Sequence, residues 1–248
     1  MFPLKDNIPT DRLPVLTIAL IVANVLVYLL FQRGGISLGD PSGLEYQCRV
    51  IEYGAIPVEF TDPGTQVAVR ECGAPPQNTI LTAFSSMFMH GGLLHLGGNL
   101  LFLWIFGNNV EDRMGRVRFL AFYLLGGLAA LGAQILIDPG STVPTIGASG
   151  AVAGVLGGYL LLFPRARVLT LFFLVFIFFL REIPALVVLG LWFVQQVLFG
   201  YFDLAQPTEG GGGVAYFAHI GGFVFGLVAV RLFVLGRGRR ERGDVLRA

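Results

Sequence analysis

The chain has 248 residues, of which 54% are hydrophobic and only 13% are charged, and its mean hydropathy is +0.72. A soluble domain usually carries about 25% charged residues, so this composition excludes an ordinary soluble protein and predicts a polytopic membrane protein. The formal net charge of +1 gives no reason to expect a nucleic-acid partner.

Six apolar segments, taken in chain order, are candidates for crossing about 30 Å of hydrocarbon, and the fourth is the shortest of them. They lie at 14–31, 93–110, 117–137, 150–163, 184–201 and 214–235. We find no internal repeat and no soluble insertion, so we expect one all-α bundle of six transmembrane helices over 14–235. The segment 1–13 precedes this membrane domain, and a basic tail, 236–248, follows it.

The loop between the first two apolar segments, 32–79, is too long for a simple turn. We expect it to be an ordered piece that lies on the outer membrane surface. Both cysteines of the chain, Cys48 and Cys72, fall within it. A disulfide between them would persist in an oxidising compartment and constrain the loop, and two free thiols are the alternative.

A further apolar run, 168–180, lies between arginines and is too short to cross the bilayer unless a charged residue enters it. We expect it to be an interfacial or re-entrant segment, with a seventh span as the alternative. The choice matters because a seventh span would reverse the direction of the last helix.

Basic residues are concentrated in alternate connections, which predicts the orientation through the positive-inside rule. They lie before the first segment and after the second, fourth and sixth: Lys5, Arg12, Arg113, Arg116, Arg118, Arg165, Arg167, Arg237, Arg239, Arg240 and Arg242. The connections 138–148 and 202–213 carry no Lys or Arg. We therefore expect an integral multi-pass protein with both termini in the cytoplasm, in a bacterial cytoplasmic membrane.

Ser149 opens the fourth segment, and His219 lies a short way into the sixth, at a similar depth on the outward side. Polar side chains at membrane depth are costly, so they are candidates for function. A serine hydroxyl becomes a useful nucleophile beside a base, most often a neutral imidazole, and the chain offers His90, His95 and His219. The alternative is a serine that caps its helix and histidines that only pack.

Small residues recur at every fourth position on the two helices that carry this serine and histidine. They are Gly150, Gly154 and Gly158 on the first helix, and Gly222 and Gly226 on the second. Such faces let two helix backbones approach closely. We expect them to bring Ser149 and His219 together, although ordinary helix packing would also explain them.

His95 and Asn99 are four residues apart, so they share one face of the second helix. Both side chains can donate hydrogen bonds, and the backbone N–H of Ser149 at a helix start is a third donor. Together they are candidates for an oxyanion hole, in which each donor contributes about 3–4 kcal/mol in well-studied hydrolases.

These residues resemble the motifs of the rhomboid family of intramembrane serine proteases. The matching positions are His90, His95 and Asn99 in the second segment, Glu111 and Gly115 after it, Gly147, Ser149 and Gly150 at the fourth, and Ala218, His219, Gly222 and Gly226 in the sixth. The resemblance runs from Tyr53 to Leu235. It implies a six-helix bundle with a Ser–His dyad in a water-filled cavity, which cleaves transmembrane proteins near the outer membrane face.

The resemblance also implies a role for each matching residue. Ser149 is the nucleophile, His219 is the general base, and His95, Asn99 and the Ser149 N–H are the oxyanion donors. The residues with a role in structural support are His90, Glu111, Gly115, Gly147, Gly150, Gly222 and Gly226. Many family members place a tyrosine against the base, four residues after the serine, but this chain has Ala153 there, so the group that orients His219 is not identified.

By the same resemblance, the substrate is a single-span protein with a locally unstable helix, cut after a small residue such as alanine, without metal or cofactor. The alternative is a non-proteolytic relative that binds and escorts transmembrane segments, although such relatives typically lose the serine or the histidine. A histidine metal site lacks accompanying ligands, and a transport path past Gln134 and Gln195 lacks intramembrane charges. The physiological substrate and the oligomeric state stay open.

Overall fold

The structure is a computed structural model that describes residues 2–36, 38, 41–62, 64–67, 72–73, 78–174, 177–205 and 214–236. The predicted tail, 236–248, lies outside these ranges beyond Gly236, as does part of the loop 32–79. The described chain is mostly helical.

The helices follow one another along the chain and are separated by short connections and three strands. They are α1 (Val15–Leu26), α2 (Leu44–Tyr53), α3 (Pro57–Thr61), α4 (Thr79–Ser85), α5 (Leu93–Phe102), α6 (Asn108–Met114), α7 (Arg116–Ile137), α8 (Ser149–Leu162), α9 (Ala185–Ala205) and α10 (Tyr216–Val234). The strands are β1 (Phe2–Asp6), β2 (Arg167–Leu174) and β3 (Ile177–Pro184). A π-helical stretch, Val27–Phe31, extends α1, another, Leu103–Gly107, joins α5 to α6, and a 3₁₀ turn, Ser86–Phe88, follows α4.

Each of the six predicted membrane segments coincides with a helix to within a few residues. Three of them, α7, α9 and α10, are long and apolar enough to cross a membrane, and a bent pair, Thr79–Phe88 with Leu93–Met114, could form a fourth span. The first and fourth segments are shorter apolar helices, Val15–Phe31 and Ser149–Leu162. The predicted helices are therefore present, whereas the count of six spans stays a prediction.

The three strands form an antiparallel sheet in which β2 lies between β1 and β3. The described residues of the run 168–180, which was predicted to be an interfacial or re-entrant segment, belong to β2 and β3, so the all-α fold class is wrong at this sheet. The physical reason is twofold. Aromatic and β-branched residues favour strands, and the N-terminal strand supplies hydrogen-bond partners along the edge of β2 that β3 leaves open.

The helix α8 packs closely against α10, and its glycines explain why. A Cβ added to Gly222 would collide with the carbonyl oxygen of Gly150, and one added to Gly226 would collide with that of Gly154. Because both pairs advance in the same direction, α8 and α10 run parallel and begin on the same side of the bundle. One crossing between them, that of α9, gives this parallel arrangement, whereas a seventh span would add a second crossing and reverse α10.

The described part of the first loop forms helices that pack on the connection leading into α8. Cys48 in α2 forms a disulfide with Cys72. After α2, Ala55 exchanges two backbone hydrogen bonds with Thr145, of 3.2 and 2.8 Å, and its side chain is fully buried. The loop is therefore ordered there, and it supports the backbone four residues before Ser149.

Candidate active site

Ser149 and His219 are in hydrogen-bond contact where α8 and α10 begin. The distance from His219 Nε2 to Ser149 Oγ is 2.7 Å, and the His219 side chain is buried. Ser149 is the first residue of α8, but Ala148 occupies the N-cap position and no side-chain hydrogen bond caps the helix. The serine hydroxyl therefore contacts an imidazole instead of its own helix terminus, which disfavours the capping alternative.

The other ring nitrogen of His219 contacts a residue that the sequence did not single out. Gln196 Oε1 lies 2.8 Å from His219 Nδ1, and the Gln196 side chain is only 5% exposed. One turn earlier on α9, the Trp192 ring lies 5.8 Å from the imidazole at an interplanar angle of 37°. The helix α9 thus supplies contacts to the His219 ring, at a site where Ala153 has no aromatic side chain.

The His95 ring presents a donor close to the serine. The Gly91 N–H donates to His95 Nδ1 at 3.1 Å, so the neutral ring carries its hydrogen on Nε2. A Cβ built on Gly147 would lie 2.7 Å from that Nε2 and 3.5 Å from Ser149 Oγ. Gly147 has a φ of 125°, which favours glycine. His95 Nε2 and the Ser149 hydroxyl therefore both border the space that Gly147 leaves open by having no side chain.

Asn99 lies one turn after His95 on the same face of α5. Its side chain is buried, and its Nδ2 has no hydrogen-bond partner among the described residues. A buried amide without a partner costs about 1–3 kcal/mol, and an oxygen of a bound peptide would satisfy it. The Ser149 N–H is also a donor, because the first turn of a helix has no intrahelical acceptors.

His90 lies at the bend between α4 and α5 and is fully buried. Its backbone carbonyl accepts hydrogen bonds from Gln32 Nε2 at 2.7 Å and from the Tyr46 hydroxyl at 3.0 Å. Its backbone N–H donates to Gln32 Oε1 at 3.0 Å. These backbone bonds tie the end of the first helix and α2 to the bend that precedes His95, and the supporting role of the His90 side chain stays a prediction.

Glu111 and Gly115 lie at the opposite end of the bundle from the serine. The Glu111 carboxylate accepts hydrogen bonds from the backbone N–H groups of Leu16 and Thr17, at 3.0 and 2.7 Å, and from the Thr17 hydroxyl at 2.8 Å. Gly115, with a φ of 77°, separates α6 from α7. Glu111 therefore caps α1 from another helix, and the supporting role of the pair stays a prediction.

Gln134, which was considered only under the transport alternative, contacts the start of α10. Its Oε1 accepts a hydrogen bond from the Ala218 N–H at 3.3 Å. That N–H belongs to the first turn of the helix, where it has no intrahelical acceptor. In the ranges that the structure describes, no group of three His, Cys, Asp or Glu side chains is arranged to hold a metal ion.

The sequence is similar to a protein-family model and to several known proteins. The Rhomboid domain model matches residues 77–236. Rhomboid protein 1, mitochondrial, from Saccharomyces cerevisiae is 32% identical over 154 residues, which are 60% of this chain and 40% of that protein. Presenilin-associated rhomboid-like protein, mitochondrial, from Homo sapiens is 28% identical over 57% of this chain and 35% of that protein. Rhomboid protease GluP from Bacillus subtilis is 42% identical over 72 residues, 29% of this chain and 14% of that protein.

The matched stretches cover two fifths or less of each of these relatives. The domain match and the apolar helices together identify an integral, multi-pass membrane protein. Two of the three relatives carry mitochondrial names, so these comparisons do not support the prediction of a bacterial cytoplasmic membrane.

Proposed function

Because the chain belongs to the rhomboid family, we propose that it is an intramembrane serine endopeptidase whose catalytic dyad is Ser149 and His219. The observation that carries this proposal is the 2.7 Å contact between His219 Nε2 and Ser149 Oγ. A serine hydroxyl bonded to a neutral imidazole is how hydrolases activate this nucleophile. The Bacillus subtilis relative is named a protease, which supports an active enzyme.

In the proposed reaction, Ser149 Oγ attacks the scissile carbonyl carbon while its proton moves to His219 Nε2. The carbonyl oxygen becomes an oxyanion that accepts hydrogen bonds from the Ser149 N–H, His95 Nε2 and Asn99 Nδ2. His219 then gives the proton to the leaving amine, which releases one product and leaves an acyl-enzyme. A water molecule, deprotonated by His219, hydrolyses the ester and restores the serine.

We place this site near the outer face of a six-span bundle, with both termini on the side of the basic loops. The parallel packing of α8 on α10, which starts both helices on one side, supports this topology. The helix α8 has 14 residues, which at 1.5 Å each give about 21 Å, less than the bilayer core. A short span lets Ser149 lie below the membrane surface and still be reached by water from outside.

The substrate class that fits this location is a membrane protein cut in or near a transmembrane segment. A helical substrate hides its carbonyl groups in backbone hydrogen bonds, so the segment must unwind before Ser149 can attack. Glycine or proline near the cleaved bond lowers the cost of unwinding. A small residue such as alanine before the bond is the preference implied by family membership.

The test is cleavage of a single-span substrate in liposomes by the purified full-length protein. The substrate carries alanine at the outer end of its helix, followed by glycine, and products are identified by mass spectrometry. Ser149→Ala and His219→Ala should each reduce turnover by about 1,000-fold or more. Ser141→Ala, in the connection before α8, is the matched control and should cleave like the wild type.

Thermal unfolding of each variant shows whether the fold is kept. Folded Ser149→Ala or His219→Ala protein that cleaves near the wild-type rate would rule out the dyad. Wild type that binds the substrate without cutting it would instead favour the alternative, a rhomboid-like protein that binds and escorts transmembrane segments.

A further inference from the structure

We infer that Gln196 is the positioning residue of the dyad: it fixes the orientation and the tautomer of His219 so that Nε2 faces Ser149 with its lone pair. This inference rests on the proposed protease function, but the geometry behind it stands on its own. It supplies the orienting group that the sequence left unidentified at Ala153.

The orientation of the Gln196 amide follows from its two contacts. Its Nε2 donates to the backbone carbonyl of Trp192 at 3.3 Å, and its Oε1 lies 2.8 Å from His219 Nδ1. A backbone carbonyl can only accept a hydrogen bond, so the amide nitrogen must face Trp192. The amide oxygen must therefore face the imidazole.

The tautomer of His219 follows in turn. The Gln196 oxygen can only accept, so His219 Nδ1 must carry the hydrogen that bridges them. A neutral imidazole has one such hydrogen, so Nε2 keeps its lone pair, and the Ser149 hydroxyl at 2.7 Å can donate to it. The hydrogen bonds thus all run one way: Ser149 donates to His219, and His219 donates to Gln196. The opposite tautomer would place an N–H against the serine and disable the base.

A neutral amide suits this position better than the carboxylate of soluble serine proteases. Gln196 is 5% exposed within a hydrophobic helix, where an ionised side chain would be costly. The amide provides the accepting oxygen without a charge. Because α9 also places the Trp192 ring near the imidazole, Gln196 fixes the ring at one edge while Trp192 limits its tilt.

The test compares three substitutions in the full-length protein, using covalent labelling of Ser149 by a fluorophosphonate. Gln196→Met keeps the length of the side chain and removes the acceptor. Gln196→Glu keeps an oxygen that accepts from Nδ1. Gln195→Met is the matched control, since Gln195 is the adjacent glutamine and is exposed.

We expect Gln196→Met to lower the maximal labelling rate kinact by about 10- to 100-fold, with the inhibition constant KI changed less than about twofold. Gln196→Glu should label faster than Gln196→Met, and Gln195→Met should match the wild type. If Gln196→Met labels like the wild type, or if Met and Glu slow labelling equally, Gln196 is only a packing residue. Wild type that is not labelled at all would reject the protease function first.

A second measurement does not require a Gln196 variant that folds. The chain has only 3 histidines, so ¹⁵N-histidine NMR of Ser149→Ala protein can be assigned by substituting the other two. We expect His219 to carry its hydrogen on Nδ1. A His219 with its hydrogen on Nε2 would overturn the inference, whether or not the protein is a protease.

Discussion

Asn99 has a buried amide nitrogen without a hydrogen-bond partner among the described residues, and it lies on the same helix face as His95. If this nitrogen stabilises the oxyanion, its hydrogen bond forms fully only in the transition state. We therefore expect Asn99→Ala to lower kcat by about 100-fold with little change in KM. Steady-state cleavage kinetics measure both values.

The control for this prediction is Asn108→Ala, because Asn108 lies further along the same membrane segment, at the end away from Ser149. It should cleave at the wild-type rate. An Asn99→Ala enzyme with unchanged kcat would remove Asn99 from the oxyanion hole.

Asp6 is a buried acid outside the predicted membrane segments, and it links β1 to the bundle. Its Oδ2 accepts hydrogen bonds from the Tyr159 hydroxyl at 2.6 Å and from Asn109 Nδ2 at 2.7 Å. Burial raises the pKa of Asp6 above its ordinary 3.8, and the hydrogen bond from Tyr159 offsets part of this effect. The protonated carboxyl therefore contributes stability that is complete below pH 3.8 and is lost as the pH rises through the raised pKa.

Asp6→Asn should remove this pH dependence, because asparagine can still accept from Tyr159 and does not titrate. We expect the melting temperature of the wild type to fall relative to that of Asp6→Asn as the pH rises above 3.8. Thermal unfolding of both proteins in detergent over a series of pH values measures the difference. A difference that stays constant with pH would show that Asp6 titrates alike in the folded and unfolded chains.

The four residues at the centre of the site could be proposed from the sequence because their chemistry is rare at membrane depth. Ser149, His219, His95 and Asn99 stand out by residue type, by predicted depth and, for the last two, by helical spacing. Gln196 could not be proposed from the sequence, since the neighbouring Gln195 is the same type of residue. Only the rotation of α9 against α10 decides which of the two glutamines meets the imidazole.

At the scale of helices, the packing of α8 against α10 keeps Ser149 and His219 in contact. Gly222 has no room for a Cβ because the Gly150 carbonyl oxygen occupies that space. We expect Gly222→Ala to push the helices apart, to destabilise the fold by about 1–3 kcal/mol and to reduce labelling of Ser149. Thermal unfolding and fluorophosphonate labelling report the two effects.

Gly190→Ala, in α9, is the matched substitution, because nothing lies within 4 Å of a Cβ built there. It should leave labelling unchanged and stabilise the helix by up to about 1 kcal/mol. Equal effects of the two substitutions would show that the close approach of α8 and α10 is not what the glycines provide.

The helices could be placed from the sequence because long apolar runs in a membrane leave few alternatives to a helix. The strands β2 and β3 could not be placed from the sequence, since a short continuous apolar run fits either a strand or a helix. What decides the case is pairing with the N-terminal strand, where Phe2 lies opposite Leu171. That partner is far away in sequence and gives no local pattern.

At the scale of the whole molecule, the fourth crossing has the weakest support, because α8 is the shortest of the six predicted spans. If α8 spans the membrane, Ser141 before it and Arg165 after it lie on opposite sides. The described cysteines are both in the disulfide, so a single introduced cysteine can be labelled selectively. In right-side-out vesicles, a membrane-impermeant maleimide should label Ser141→Cys directly and Arg165→Cys only after permeabilisation.

Equal labelling of both positions in intact vesicles would contradict the six-span topology. It would also remove the reason for placing the starts of α8 and α10 on the outer side, where the substrate is proposed to be cut. Reduced and non-reduced samples, compared in parallel, show whether the Cys48–Cys72 disulfide is intact during labelling.

The proposed dyad requires that Ser149 is an activated nucleophile, and one labelling experiment tests this requirement without knowledge of the substrate. Detergent-purified wild type and Ser149→Ala are exposed to a fluorophosphonate probe, and the labelled residue is identified by mass spectrometry. We predict that the wild type is labelled on Ser149 and that Ser149→Ala is not labelled. Folded wild type that takes up no probe, or equal labelling of the two proteins, would contradict the account.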